Sequence, residues 1–350
     1  MLSGDHRGTR PPPANVTRPG DNVGVTPPPP AAPEPAGSGA ADPLDARLPS
    51  PLVEVADERL AARGVRLALK RDDLIHPDLP GNKYRKLRLN LAAAAEAGHT
   101  TLLTFGGAYS NHLRATAAAG RLLGLRTVGL VRGDELADRP LNPSLARAAA
   151  DGMRLEFVDR ATYRRKAEPE TLAALTDRFG PAYVLPEGGS NALAAVGAAE
   201  LGRELDGEAD VVAVAVGTGG TLAGLAAGLA AGLGSGSGSG SGRAEAIGFP
   251  VLRGGGFLAA EVLRLQEEAF GGRRGRWRLD DRFHHGGYAR TTPELDAFAA
   301  DFAARHGLRP EPVYVAKMLH GVHTLAEEGA FPPGTRVAAV ITGTDPGETG

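Results

Sequence analysis

The sequence contains no cysteine. Disulfides, thiolate catalysis and cysteine-based zinc or iron–sulfur centres are therefore excluded. Excess charge is equally scarce. The formal net charge over 350 residues is −2, which gives no basis for nucleic acid or an anionic membrane as partner. No apolar run approaches the length of a membrane span, and no basic segment followed by an apolar core marks a signal peptide. The expectation is a soluble cytoplasmic protein. Hydrophobic residues make up 42% of it, enough for a sizeable core in two domains or one large α/β body.

What is present begins with a proline-rich stretch. Residues 1 to 47 interleave Pro11-Pro12-Pro13, Pro27 to Pro30 and Pro33-Glu34-Pro35 with glycine, alanine and polar residues. Such a segment cannot bury enough apolar surface to offset its ordering entropy, so it reads as a disordered tail. Order is expected from about Pro49. Strands are expected at 65–69, 101–105, 127–131, 155–158, 182–185, 211–216, 244–249 and 337–341, with helices between most of them, such as 113–123, 192–205 and 222–233. That alternation predicts mostly parallel sheets covered on both faces, with ligand-binding loops at the C-terminal strand ends. The Gly-Ser repeat at 234–242 reads as a flexible surface loop.

Four stretches are suited to chemistry. In Gly81-Asn82-Lys83-Tyr84-Arg85-Lys86-Leu87 a turn hands a lysine to the mouth of a helix that runs to Gly98. The positive end of the helix disfavours an ammonium there, as a Schiff-base lysine requires. In Thr104-Phe105-Gly106-Gly107-Ala108-Tyr109-Ser110-Asn111-His112 a strand runs into two glycines and a helix start. Ser110 or Asn111 can cap that helix and also face a carboxylate or phenolate oxygen.

The third stretch, Gly217-Thr218-Gly219-Gly220-Thr221, is a candidate phosphate cradle or a tight strand–helix turn. It is neither a dinucleotide fingerprint, because Leu222 stands where glycine is needed, nor a P-loop, because Leu225 follows Gly224. Near the C-terminus, Tyr288 follows the turn Phe283-His284-His285-Gly286-Gly287, Tyr314 follows Glu311-Pro312-Val313, and Thr342 closes the last strand. His284 and His285, adjacent in sequence, do not make a metal site by themselves. The tyrosines are acid–base candidates, or packing residues with a wet tip. An amine nucleophile, a phosphate cradle and polar strand ends together suit pyridoxal 5'-phosphate.

On these motifs the sequence resembles the pyridoxal-phosphate enzymes of the 1-aminocyclopropane-1-carboxylate deaminase and D-cysteine desulfhydrase family. The resemblance runs from about Pro49 to Gly343. It implies the tryptophan synthase β-like, type II fold, a two-domain α/β/α arrangement with mostly parallel sheets. The larger domain would comprise 48–84 and 187–345, and a smaller inserted domain 85–186. Lys83 would hold the cofactor and serve as base. Ser110 would be the active-site serine near the substrate carboxylate, Asn111 would bond the cofactor's ring oxygen, and Gly217 to Thr221 would hold its phosphate. Asn82 and Thr342 would contribute to the cofactor site, His112 to the substrate site, and Tyr288 and Tyr314 would be the active-site tyrosines. A homodimer is implied too. One departure stands out: where the deaminases place a glutamate facing the ring nitrogen, this sequence has Val315, while Thr342 matches the threonine of desulfhydrase-like members. The threonine usual after the desulfhydrase tyrosine is absent as well.

The expected function is β-elimination from a small D-cysteine-like amino acid, giving keto acid, ammonia and sulfide. The alternatives are ring-opening of 1-aminocyclopropane-1-carboxylate, a non-catalytic pyridoxal-phosphate binder, and, last, a nucleotide-binding module built on the Gly217 loop.

Overall fold

A computed structural model describes residues 44–79, 81–231 and 244–343. The proline-rich stretches, Pro80, the Gly-Ser repeat and Thr344 lie outside these residues. The described chain opens with β1 (Leu52–Val55), α1 (Glu58–Ala61), β2 (Arg66–Lys70), α2 (Asn82–Glu96), β3 (Thr101–Gly106) and α3 (Asn111–Leu123). It continues with β4 (Arg126–Arg132), α4 (Pro143–Ala150), β5 (Met153–Val158), α5 (Arg160–Arg164), α6 (Pro169–Phe179) and β6 (Tyr183–Leu185). Then come α7 (Ala192–Glu204), β7 (Val211–Val216), α8 (Gly220–Ala231), β8 (Glu245–Pro250) and α9 (Leu258–Phe270). It closes with β9 (Arg276–Leu279), α10 (Pro293–His306), α11 (Val315–Glu327) and β10 (Arg336–Val340).

The strands form two sheets, β1-β2-β10-β7-β8-β9 and β5-β4-β3-β6. Every pairing is parallel except β1 with β2. Strand β7 shows why the first sheet is covered twice. Its alternate residues Ala213 and Ala215 pack with α11, including Met318 and Val322. Val212, Val214 and Val216 face α7, α8 and α9 on the other side. Period-two alternation with no polar face is what a strand buried on both sides requires.

Helices α7 and α8 pack backbone to backbone. A Cβ on Gly224 or Gly228 would fall on the carbonyl oxygens of Ala195 and Ala199, so only glycine permits this approach. The second sheet is filled in the same way, by Leu102, Leu185 and Ala119 on the α2 side and by Leu103, Phe105 and Leu130 beneath α5 and α6.

All eight expected strands are present, with ends shifted by at most two residues and those of β7 unchanged. β1 and β9, at the two edges of the first sheet, are additional. The packed body also begins earlier than Pro49. Leu44 is buried with Ile75 and Leu79, and the Arg47 amide donates to the Ile75 carbonyl at 2.9 Å. No helix among the described residues is long and apolar enough to cross a membrane.

Candidate active site

The segment entering α2 is held between the first sheet's strand ends. The Gly81 amide donates to the Asp72 carbonyl at 2.8 Å, and the Asp73 amide donates to the Ile341 carbonyl at 2.9 Å. Gly81 has φ +67, and a Cβ there would run into the Thr342 carbonyl. Both the turn and the close approach therefore demand glycine. Asn82 opens α2 and donates to Thr221 Oγ1 at 2.8 Å, tying this segment to the Gly217 loop.

Lys83 is the second residue of α2. Its pKa is depressed to about 8, and the cause is burial of the ammonium; the helix end invoked from sequence is not needed to explain it. In the unfolded chain this lysine binds its proton up to about pH 10.5. Between about pH 8 and pH 10.5 the unfolded state therefore holds more protons, and stability must rise with pH across that window. Cofactor-stripped protein is expected to gain resistance to urea as pH rises from 8 to 10. The Lys83→Met variant should lack part of that gain; an identical profile in the variant would place the depressed amine elsewhere. Lys317, also depressed to about 8 by burial, contributes with the same sign.

Ser110, rather than Asn111, caps α3. Its Oγ accepts from the Leu113 amide at 3.3 Å, which leaves the hydroxyl hydrogen free to donate. Asn111 is the first residue of the helix. His112 is buried, with Nε2 2.8 Å from Thr104 Oγ1 and Nδ1 without a hydrogen-bond partner among the described residues. Burial holds its pKa well below the ordinary value, so the ring is neutral.

The Gly217 loop joins β7 to α8, and the first amides of a helix have no intrahelical acceptors. Beside it lie groups to which the sequence reading assigned no role. Lys86 Nζ donates to the Gly188 carbonyl and to Ser190 Oγ at 2.6 Å, and Ser190 Oγ is 2.6 Å from Thr218 Oγ1. Gly188-Gly189-Ser190-Asn191 follows β6 and precedes α7. It repeats the strand, glycine pair and helix pattern of the two stretches singled out above, and that repetition is the signal that points to Ser190.

Tyr288 and Tyr314 meet edge to face with centroids 6.2 Å apart, and the Tyr288 hydroxyl donates to the Tyr109 carbonyl at 3.2 Å. Burial raises both phenol pKa values, so both remain protonated donors at neutral pH. The turn before Tyr288 is pinned by buried Lys317, which donates to the carbonyls of His284 at 2.9 Å and Gly287 at 2.8 Å. Glu311 accepts from the amides of Val313 at 2.9 Å and Tyr314 at 2.8 Å, which commits its carboxylate to the start of α11. His285 turns toward His320, with Nε2 3.2 Å from Nδ1.

These elements enclose one cleft of about 1090 Å³. Asn82, Lys83, Ser110, Asn111, His112, Gly217, Thr218, Gly219, Gly220, Thr221, Tyr288, Tyr314 and Thr342 all line it. Val315 does not; it is fully buried in the core beside Ile341. A phosphorylated aldehyde cofactor fits this donor set. Lys86 brings a buried amine, its pKa held well below the ordinary lysine value by burial and by Lys83, with no carboxylate partner among the described residues and joined through Ser190 to Thr218. A Cβ on Gly220 would lie 2.7 Å from Ser190 Oγ and 3.3 Å from Lys86 Cε, so the cradle exists only because that position is bare. An amine of depressed pKa lines the same cleft.

Comparison with known proteins points the same way. D-cysteine desulfhydrase of Yersinia pestis is 37% identical over 156 residues, covering 42% of this chain and 45% of that protein. The bifunctional D-cysteine desulfhydrase/1-aminocyclopropane-1-carboxylate deaminase of Arabidopsis thaliana is 33% identical over 150 residues, 41% of this chain and 37% of that protein. The matched segment thus spans less than half the length of these curated relatives. Among solved structures, an ACC deaminase homologue superposes with a TM-score of 0.71 at 26% identity, covering 84% of this chain and 89% of that one. A hydrogen sulfide-producing enzyme from Fusobacterium nucleatum shares the fold, with a TM-score of 0.63 at 13% identity over 87% of this chain and 98% of that one. The pyridoxal-phosphate dependent enzyme family matches residues 44–343, the whole described body, and the chain belongs to that family.

Proposed function

We propose that the chain catalyses β-elimination from a small amino acid of the D-cysteine type, releasing pyruvate, ammonia and sulfide with uptake of one water. The observation that carries this reading is the contrast at the ring-nitrogen position. Thr342 lines the cleft, whereas Val315, at the place of the deaminase glutamate, is packed in the core. A hydroxyl there leaves the ring nitrogen largely neutral and the electron sink shallow. That suits a reaction in which the leaving group removes charge from the β-carbon, and suits opening of a cyclopropane less well. The activities for which the two relatives are named support the same substrate class.

Pyridoxal phosphate, when bound, supplies withdrawal of electrons from the substrate α-carbon. Lys86, Ser190, Thr218 and the first amides of α8 would hold its phosphate, with Asn111 and Thr342 at the ring. Lys83 takes the α-proton. With a pKa of about 8 an appreciable fraction of this amine is neutral near pH 8. Ser110, its hydrogen free while its oxygen caps α3, binds the substrate carboxylate with Asn111 and the helix end. Tyr314 or Tyr288, kept protonated by burial, donates to the departing sulfur. By family resemblance the working form is read as a cytoplasmic homodimer.

The test is incubation of cofactor-loaded protein with D-cysteine, L-cysteine and 1-aminocyclopropane-1-carboxylate, assaying sulfide, pyruvate, 2-oxobutanoate and ammonia. Sulfide and pyruvate from D-cysteine are expected. Formation of 2-oxobutanoate without sulfide would replace this reading with the deaminase, and retention of cofactor with no product at all would leave a non-catalytic binder.

A further inference from the structure

The cations around the cleft are not equivalent. Arg147 is paired with Asp78 at 3.3 Å and Asp151 at 3.2 Å, Lys166 with Glu187 at 3.0 Å, and Arg264 with Glu261 and Glu268. Arg132 also lines the cleft, and it has no carboxylate or hydrogen-bond partner among the described residues.

Its place in the fold makes this informative. Arg132 is the last residue of β4, and the β3–β4 register sets Val131 opposite Gly106. The arginine therefore stands beside Gly107, at the start of the loop that delivers Ser110 and Asn111. A Cβ on Gly107 would lie 3.5 Å from its Nη2. Its guanidinium is steadied over the ring of buried Tyr163, 5.6 Å from the centroid, by a cation–π contact that uses one face and leaves the N–H edge open. An oriented, unneutralised guanidinium at the C-terminal end of a parallel strand is a receptor for a planar or tetrahedral oxyanion. The cleft, about 1090 Å³, also has room for more than a cysteine side chain beside the cofactor.

We propose that Arg132 is a specificity-determining residue, selecting amino acids that carry a second anion, a carboxylate, sulfonate or phosphate, on the side chain beyond the α-carbon. The inference rests on the amino-acid lyase reading and extends its substrate class beyond D-cysteine, which carries no such anion, to amino acids with acidic side chains. Of the carboxylates lining the cleft, Glu187 is tied to Lys166 and Glu311 to backbone amides. Arg114, on α3, is the other cleft arginine whose guanidinium has no partner among the described residues. Because Arg132 is exposed, its attraction is screened and should weaken with added salt.

The experiment reads binding, so it stands apart from turnover. Absence of sulfide from D-cysteine would sink the lyase reading and leave the acidic preference measurable, and the converse also holds. Cofactor-loaded protein is titrated by calorimetry with aspartate, cysteate and O-phosphoserine, each as both enantiomers, against alanine and serine. At least one acidic ligand should bind about tenfold or more tightly than alanine in low salt. R132Q should remove that preference, with R132M as second variant should R132Q fail to retain the cofactor's visible band. Equal affinities in the wild type, a preference that survives in both Arg132 variants, or a preference lost in R114Q and kept in R132Q would each overturn the proposal.

Discussion

Replacing Lys83 with alanine is expected to give a folded protein that has lost the visible absorption band of lysine-bound pyridoxal phosphate. Its turnover should fall by about 10²–10⁴-fold or more. The fold should survive because the Lys83 side chain makes no hydrogen bond or ion pair among the described residues that holds α2 in place. The helix is fixed instead by Gly81 against Asp72 and by Asn82 against Thr221. The phosphate cradle of Lys86, Ser190 and Thr218 is untouched by the change. The variant should therefore still take up the cofactor reversibly, seen as quenching of Trp277 fluorescence or as calorimetric heat. A normal band in the variant would assign the cofactor to another amine, and Lys86 is the first candidate. Loss of both the band and reversible uptake would place Lys83 among the residues that shape the cradle.

The largest effect on stability is expected two residues further on. Arg85 is fully buried and forks between two carboxylates. Its Nε and Nη2 donate to Asp72 at 2.9 Å each, and its Nη1 and Nη2 donate to Glu204 at 2.8 and 2.9 Å. Lys70 Nζ reaches Glu204 at 2.6 Å and the Ser50 carbonyl at 2.6 Å, while Ser50 Oγ donates to Asp72 at 2.7 Å. Two cations thus balance two anions out of water. Burial works against the Arg85 charge, and the Asp72 and Glu204 carboxylates outweigh it.

Arg85→Met keeps an unbranched apolar stem and removes the guanidinium, leaving the carboxylates short of one partner in a dry site. The cost of breaking such a network is about 3–5 kcal/mol, read as a lowered urea midpoint at unchanged slope. Adding Asp72→Asn should recover part of the loss, because the uncompensated charge is then gone. If Arg85→Met alone shifts stability by less than about 1 kcal/mol, water must reach this cluster and the description of it as buried is wrong.

The parts of the molecule legible in sequence are those where one local rule decides. β7 is read correctly to the residue because six consecutive small or branched apolar residues between a polar turn and a glycine loop admit little else. The two edge strands escape the same reasoning. Leu52–Val55 carries a glutamate in its four residues, and Arg276–Leu279 alternates arginine with its apolar residues. An edge strand half exposed to solvent has the pattern of a loop, and only the neighbouring strand reveals it.

The site divides along a similar line. Lys83, Ser110 and the Gly217 loop each announce themselves by a glycine turn opening a helix. Glu187 and Arg132 become site residues only because two sheets bring their strand ends to one cleft, a fact about distant pairings that no window of sequence contains. The pKa of Lys83 is the instructive case. A local argument from the helix end gave the right direction, whereas the cause is burial by residues from the rest of the chain.

The position of β10 has a temporal consequence. This strand, the last in the described sequence, is not at a margin of its sheet; it lies between β2 and β7 and is hydrogen-bonded to both. Until it is inserted, β1 and β2 have no neighbour in common with β7, β8 and β9. The Gly81 turn also lacks the Thr342 backbone on which it rests. A nascent chain that has already made Lys83, Ser110 and the Gly217 loop therefore still has no pocket to offer. Capture of the cofactor is therefore expected as the closing event of folding, dependent on a loop closure spanning some 260 residues between Gly81 and Thr342. A ribosome-stalled chain ending before Arg336 should remain colourless in pyridoxal phosphate, while release of the remaining residues should bring colour and protease resistance together.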